Sequence, residues 1–223
     1  MKNKSETQPA AGQRLILTGV ISLGVVLLLI AILIVTMQGT LITPLPTGQD
    51  NNFTGITRID PPRPMPNFTL TDQYGEPLEL YALRGKFTLF TFGFTHCPDV
   101  CPLTLNDFQA IQRELGVLAD DVNFVFISVD GKRDTPEVLK NYFAQRDLTD
   151  FIAMTGTETA LREIGTPYNL QFVYGEPDAN GNYSVDHTAG SFLLDSAGRW
   201  VARYVFGIET SLIVDDMRIL LES

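Results

Sequence analysis

From Leu15 to Met37 the chain reads LILTGVISLGVVLLLIAILIVTM, 23 residues without a charge. A helix rising 1.5 Å per residue would carry this run across roughly 35 Å, against a hydrocarbon core of about 30 Å. The run is therefore read as a single transmembrane anchor, and only the chain beyond it can build a water-exposed domain. A cleaved signal peptide is the alternative, but the run exceeds the usual apolar length and is followed by TMQGTLITPLP, which offers no small-x-small cleavage site. Lys2, Lys4 and Arg14 precede the run and the next basic residue is Arg58. The charge bias makes residues 1–14 a cytoplasmic leader, 15–37 the anchor, and everything after it extracytoplasmic, on the periplasmic side of a bacterial membrane.

Six of the thirteen prolines fall in residues 38–66 together with Gly, Asn and Thr, a composition that reads as a solvated tether. The tether is assigned to 38–63 and the domain to 64–223. Roughly 160 residues rich in Phe, Leu, Val and Ile can bury a core without disulfide or metal staples. A formal net charge of -10 disfavours polyanionic partners, so nucleic acid is set aside.

Within the domain, FTLTDQYGEPLEL alternates about Gln73-Tyr74-Gly75 and predicts a hairpin. Phe87 to Phe94 reads as a buried strand, Leu103 to Leu118 as an amphipathic helix, and Val122 to Val129 as a second buried strand. Asp134-Thr135-Pro136 signals a helix start. Further expected elements are a strand at Phe151 to Thr155, a helix at Glu158 to Ile164, and hairpins at 171–185 and 188–206. A closing helix is expected at Glu209 to Leu221. Strands alternating with helices and ending in hairpins predict an α/β fold: a central mixed sheet covered by helices, the three-layer sandwich of thioredoxin-like proteins.

The chemistry concentrates in GFTHCPDVCP, Gly93 to Pro102, between a buried strand and an amphipathic helix. Both cysteines precede proline, which predicts Cys101 as N-cap and Pro102 as the first helical residue. Thiols at a helix N-terminus feel its positive end, which favours the thiolate for attack or for metal binding. Inert core cysteines are the bland alternative, at odds with the flanking prolines and with polar His96 and Asp99. The loop between the cysteines is one residue longer than that of a thioredoxin redox motif, which weakens a pure disulfide-exchange reading. Two soft thiolates and one imidazole would suit Cu(I). The only histidines are His96 and His187. His96 adjoins Cys97 and would converge poorly with both sulfurs, leaving His187, just before a late strand, as the better candidate.

Taken in order, GFTHCPDVCP, SVDGKRDTP (Ser128 to Pro136) and DHTAGSFLLD (Asp186 to Asp195) resemble the Sco/SenC family of copper chaperones for cytochrome c oxidase assembly, over about residues 64–222. The resemblance implies a thioredoxin-like domain on one membrane anchor, copper held by Cys97, Cys101 and His187, and delivery to the dinuclear centre of oxidase subunit II. It places His96 at a position that is not a ligand. Asp130 is carried only as a residue behind the ligands or a weak Cu(II) contact. Gly131 departs from the family, which often has proline there, and is expected to loosen that loop. A thiol-disulfide oxidoreductase or redox sensor using Cys97 and Cys101 remains the rival, with a peroxidase centred on Cys97 a third option.

Overall fold

A computed structural model describes residues 54–222 and, upstream, residues 26, 28–30, 32 and 33, which are helical and exposed. The rest of the run assigned as anchor, the leader, and the tether as far as residue 53 lie outside the described residues. Among the described residues no helix is long and apolar enough to cross a membrane.

An eight-stranded mixed sheet organises residues 54–222. In chain order its strands are β1 (Ile56–Pro64), β2 (Thr69–Asp72), β3 (Pro77–Glu79), β4 (Phe87–Gly93), β5 (Val122–Ser128) and β6 (Ile152–Thr155). After a separate ribbon of β7 (Phe172–Tyr174) and β8 (Val185–His187), β9 (Ser191–Leu194) and β10 (Arg199–Tyr204) complete it. The spatial order is β1-β10-β9-β4-β5-β6-β2-β3. Strands β4, β5 and β6 are parallel and the outer pairings antiparallel. The helices are α1 (Val100–Leu115), α2 (Pro136–Ala144), α3 (Glu158–Gly165) and α4 (Thr210–Leu221).

The central strands are apolar on both faces because helices or turns cover both. On one face Phe124 stacks on Phe151 at 5.1 Å and meets Phe108 of α1, while Phe126 meets Phe143 of α2 at 5.5 Å. On the other, Phe90, Phe92 and Phe192 pack with Tyr168, in the turn that follows α3. Alternation along β4 therefore points Phe90 and Phe92 one way and Gly93 the other, toward α1. The parallel connection β4-α1-β5 brings the segment after β4 and the segment after β5 to the same end of the sheet, where Val129 N–H donates to Gly93 O at 2.7 Å.

One boundary of the sequence reading is corrected. Residues 56–63, assigned to the tether, belong to β1, which pairs antiparallel with β10. Pro61, Pro62 and Pro64 hid the strand, but an edge strand needs donors on one side only, and the register breaks between Arg58 and Arg63, where the prolines sit. Arg58 fastens the edge, its Nε donating to Asp216 of α4 at 2.8 Å, and Tyr204 Oη donates to the other Asp216 oxygen at 2.8 Å.

Candidate metal centre

The Cys loop leaves the buried end of β4 and enters α1. The helix starts two residues earlier than the prolines suggest: Asp99 is the N-cap, Val100 the first helical residue, and Cys101 and Pro102 lie inside the first turn. First-turn N–H groups have no helical partner, so Pro102 removes none, and tertiary packing overrides the bias of Cys101 against helical backbone. Cys101 N–H turns back to Cys97 Sγ at 3.4 Å, and Cys97 N–H donates to Phe94 O at 3.2 Å, closing the loop on itself. Thr95, between them, is pinned by the fully buried Asp134, which accepts from Thr95 N–H at 2.9 Å, Thr95 Oγ1–H at 2.5 Å and Ser128 Oγ–H at 2.6 Å.

Across the cleft stands His187, the last residue of β8. Its Nε2 lies 3.8 Å from Cys101 Sγ, and its Nδ1 is 3.1 Å from Thr188 O. A carbonyl only accepts, so Nδ1 carries the proton and Nε2 turns its lone pair toward the sulfur. Phe94 stands edge-on to the imidazole at 5.9 Å. Burial holds His187 below the ordinary histidine range, which keeps the ring neutral and able to ligate. Cys97 lines the same cleft of about 400 Å³, with Phe94, Pro98, Asp99, Asp186 and His187.

Cys101 corrects an expectation. It is 3 % exposed, and desolvation pushes its thiol far above the ordinary cysteine range despite a bond from the Phe94 backbone and the helix start. The helix end alone does not make it a thiolate; an electrophile or a metal must displace its proton.

The separation fits a metal. With bonds of roughly 2.3 Å to sulfur and 2.0 Å to nitrogen, typical of zinc, two ligands of a trigonal site stand about 3.7 Å apart. Among the described residues no three His, Cys, Asp or Glu side chains are already gathered as a metal site. Cys101 and His187 are at ligand spacing, and Cys97 Sγ lies beside Cys101, accepting from its backbone N–H at 3.4 Å.

Residues 57–222 match the SCO1/SenC family model. The chain belongs to the SCO1/SenC family. Among SCO1/SenC relatives, an SCO2-like protein of Rickettsia prowazekii is 36 % identical over 169 residues, covering 75 % of this chain and 80 % of the relative. Copper-bound ScoI of Bradyrhizobium japonicum superposes with a TM-score of 0.62 at 37 % identity, covering 70 % of this chain and 98 % of the other. Copper-bound yeast Sco1 gives 0.65 at 28 % identity, over 73 % and 90 %.

The other residues singled out in this SCO1/SenC sequence fall as follows. His96 is exposed and turns its Nδ1 to Thr95 Oγ1 at 3.1 Å, with Asp134 at 3.8 Å. Asp130 is fully buried and spent on Arg133 and Tyr183. Gly131 does not loosen its loop: a Cβ there would collide with the Gly156 carbonyl oxygen, so the two backbones are in contact. Asp134, a helix-start signal in the sequence, proves to be the anchor of the Cys loop, and Arg133, inside the SVDGKRDTP motif, and Tyr183, in a hairpin arm, also belong to the site's support. The SVDGKRDTP motif was the available signal for Arg133 and Asp134; nothing in the sequence marks Tyr183.

Proposed function

We propose that this protein is a membrane-anchored copper chaperone. It binds one copper ion as cargo through Cys97, Cys101 and His187 and passes it to the dinuclear copper centre of cytochrome c oxidase subunit II. The observation that carries the reading is the 3.8 Å approach of Cys101 Sγ to a His187 Nε2 whose lone pair is free. Family membership and the copper in the Bradyrhizobium and yeast relatives support the choice of metal. Two thiolates and an imidazole form a soft set suited to Cu(I). On loading, each thiol loses its proton to solvent, and Cys97 Sγ, already 3.4 Å from the Cys101 backbone N–H, completes the set with Cys101 and His187. On release, an acceptor's thiolate or imidazole enters through the open cleft as one chain ligand leaves, so copper is never bare. Residues 15–37 hold the chain in the membrane, and 64–223, with β1 joined to it, form the copper-binding domain on the extracytoplasmic side.

Titrating Cu(I) into the reduced full-length chain against a competing chelator tests this. One copper per chain is expected, with affinity lowered at least ~10-fold in His187→Ala and more in either Cys→Ser variant. Unchanged affinity in His187→Ala refutes the ligand set.

A second activity is favoured by the pairing of a half-buried Cys97 with a buried Cys101, both free. Cys97 thiolate attacks a partner disulfide and expels one partner thiolate. Cys101 then attacks Cys97, forming the Cys97–Cys101 disulfide and releasing the partner as a dithiol. Cys101→Ser is expected to trap the mixed disulfide; its absence with a reducible partner refutes this reading.

A further inference from the structure

The ribbon of β7 and β8 has three residue pairs and stands outside the main sheet, yet its last residue is His187. So small a ribbon is marginal alone, and its position must be set by what it is fastened to. Tyr174 Oη donates to Val129 O at 2.7 Å, and Arg162 Nη1 to Phe172 O at 3.1 Å. The densest fastening is at Tyr183, four residues before His187. Its hydroxyl donates to Asp130 Oδ1 at 2.7 Å and its carbonyl accepts from Arg133 Nη1 at 2.9 Å. Its ring lies under the Arg133 guanidinium at 3.6 Å. Arg133 Nε in turn holds the second oxygen of Asp130.

Asp130 is thereby committed: one oxygen to Arg133, the other to Tyr183, and its backbone N–H to Ser128 Oγ at 3.0 Å. It faces the ribbon, not the sulfurs. The β5-α2 loop that carries Asp130 and Arg133 also carries Asp134, which pins the Cys loop through Thr95. One short segment therefore fixes both halves of the site, the thiols through Asp134 and the imidazole through Asp130 and Arg133.

We propose that Asp130, Arg133 and Tyr183 form a clamp that positions His187, setting how tightly the imidazole arm grips the metal and how readily it lets go. The inference rests on the ligand set proposed above. Groups that orient a ligand without touching the metal commonly change metal affinity by 10–100-fold, because a wandering ligand must be ordered at the moment of binding.

Tyr183→Phe deletes one hydroxyl and leaves the Asp130–Arg133 pair intact; Arg133→Lys keeps a cation beside Asp130 but loses the fork that reaches Tyr183 O. Both are made in the full-length chain and in a His187→Ala background. Cu(I) affinity is read by chelator competition, and hydrogen exchange of residues 183–188 is followed in the copper-free protein. Each variant is expected to weaken copper about 10-fold in the parent and less than about 2-fold in the His187→Ala background, with faster exchange across 183–188. Equal losses in both backgrounds, or no loss in the parent, would overturn the clamp. If His187→Ala itself leaves affinity unchanged, the ligand set fails, and the exchange data then decide alone: unchanged protection rejects the clamp as well.

Discussion

Gly93→Ala probes how tightly the thiol is seated. A methyl at Gly93 would meet Phe126 Cε2 at 2.6 Å, Phe126 Cζ at 2.9 Å and Cys101 Sγ at 3.0 Å. Ordinary carbon contacts lie near 3.5–4.0 Å, so the neighbours must retreat by about 1 Å. Phe126 cannot easily do so, since Phe143 backs it at 5.5 Å. Strain of this kind costs typically 1–3 kcal/mol, and for a domain of this size each kcal/mol lowers Tm by roughly 2–4 °C. Taking about 2 kcal/mol, the copper-free protein should melt about 4–8 °C lower by circular dichroism. The yielding direction is Cys101 Sγ, whose 3.8 Å approach to His187 would be disturbed. Copper affinity by chelator competition should therefore fall as well. A Tm within about 1 °C of the parent with unchanged affinity would refute the account of a Gly93 backbone packed closely against both Phe126 and the Cys101 thiol.

Two further outcomes follow from the same geometry. Burial raises the Cys101 thiol well above its ordinary value, so it is protonated across the working pH range and, as a proposed copper ligand, must release that proton on binding. Apparent log affinity should rise with pH by at least about one unit per pH unit from pH 6 to 9, and steepen in acid, where His187, its value lowered by burial, begins to take a proton. Proton release by calorimetry in buffers of different ionisation enthalpy checks this, and a pH-independent affinity contradicts it. Gly131→Ala should destabilise the domain by about 1–3 kcal/mol, because its Cβ has only the Gly156 backbone to displace. Denaturant unfolding measures it, and a neutral result would show that the two loops separate freely.

Much of the fold was legible because its elements carry strong local signals. Phe87–Gly93 and Val122–Ser128 are runs dominated by aromatic and aliphatic residues. Thr135 caps α2 with Pro136 behind it, its Oγ1 accepting from Val138 N–H. Gly75, in the turn between β2 and β3, has the positive φ that a turn demands. Strand β1 was not legible, since its prolines imitate a linker and only the unpaired edge of β10 makes a strand of them. Gly116, with φ at +59°, ends α1 three residues before the apolar spacing does.

At the site, composition and order determined which atoms were available: two sulfurs four residues apart, two histidines, and a loop of small and polar residues. These follow from residue identity, and no fold can add to them. Tertiary structure decided which histidine faces Cys101, which nitrogen bears its lone pair, that the Cys101 thiol is buried and so protonated, and that Asp130 holds Tyr183 instead of a ligand. Apart from the His187 tautomer, which the neighbouring Thr188 carbonyl sets, those properties depend on desolvation and on distances between residues 30 to 90 positions apart, which no local pattern encodes because they exist only once the sheet has brought the ends of β4, β5 and β8 together.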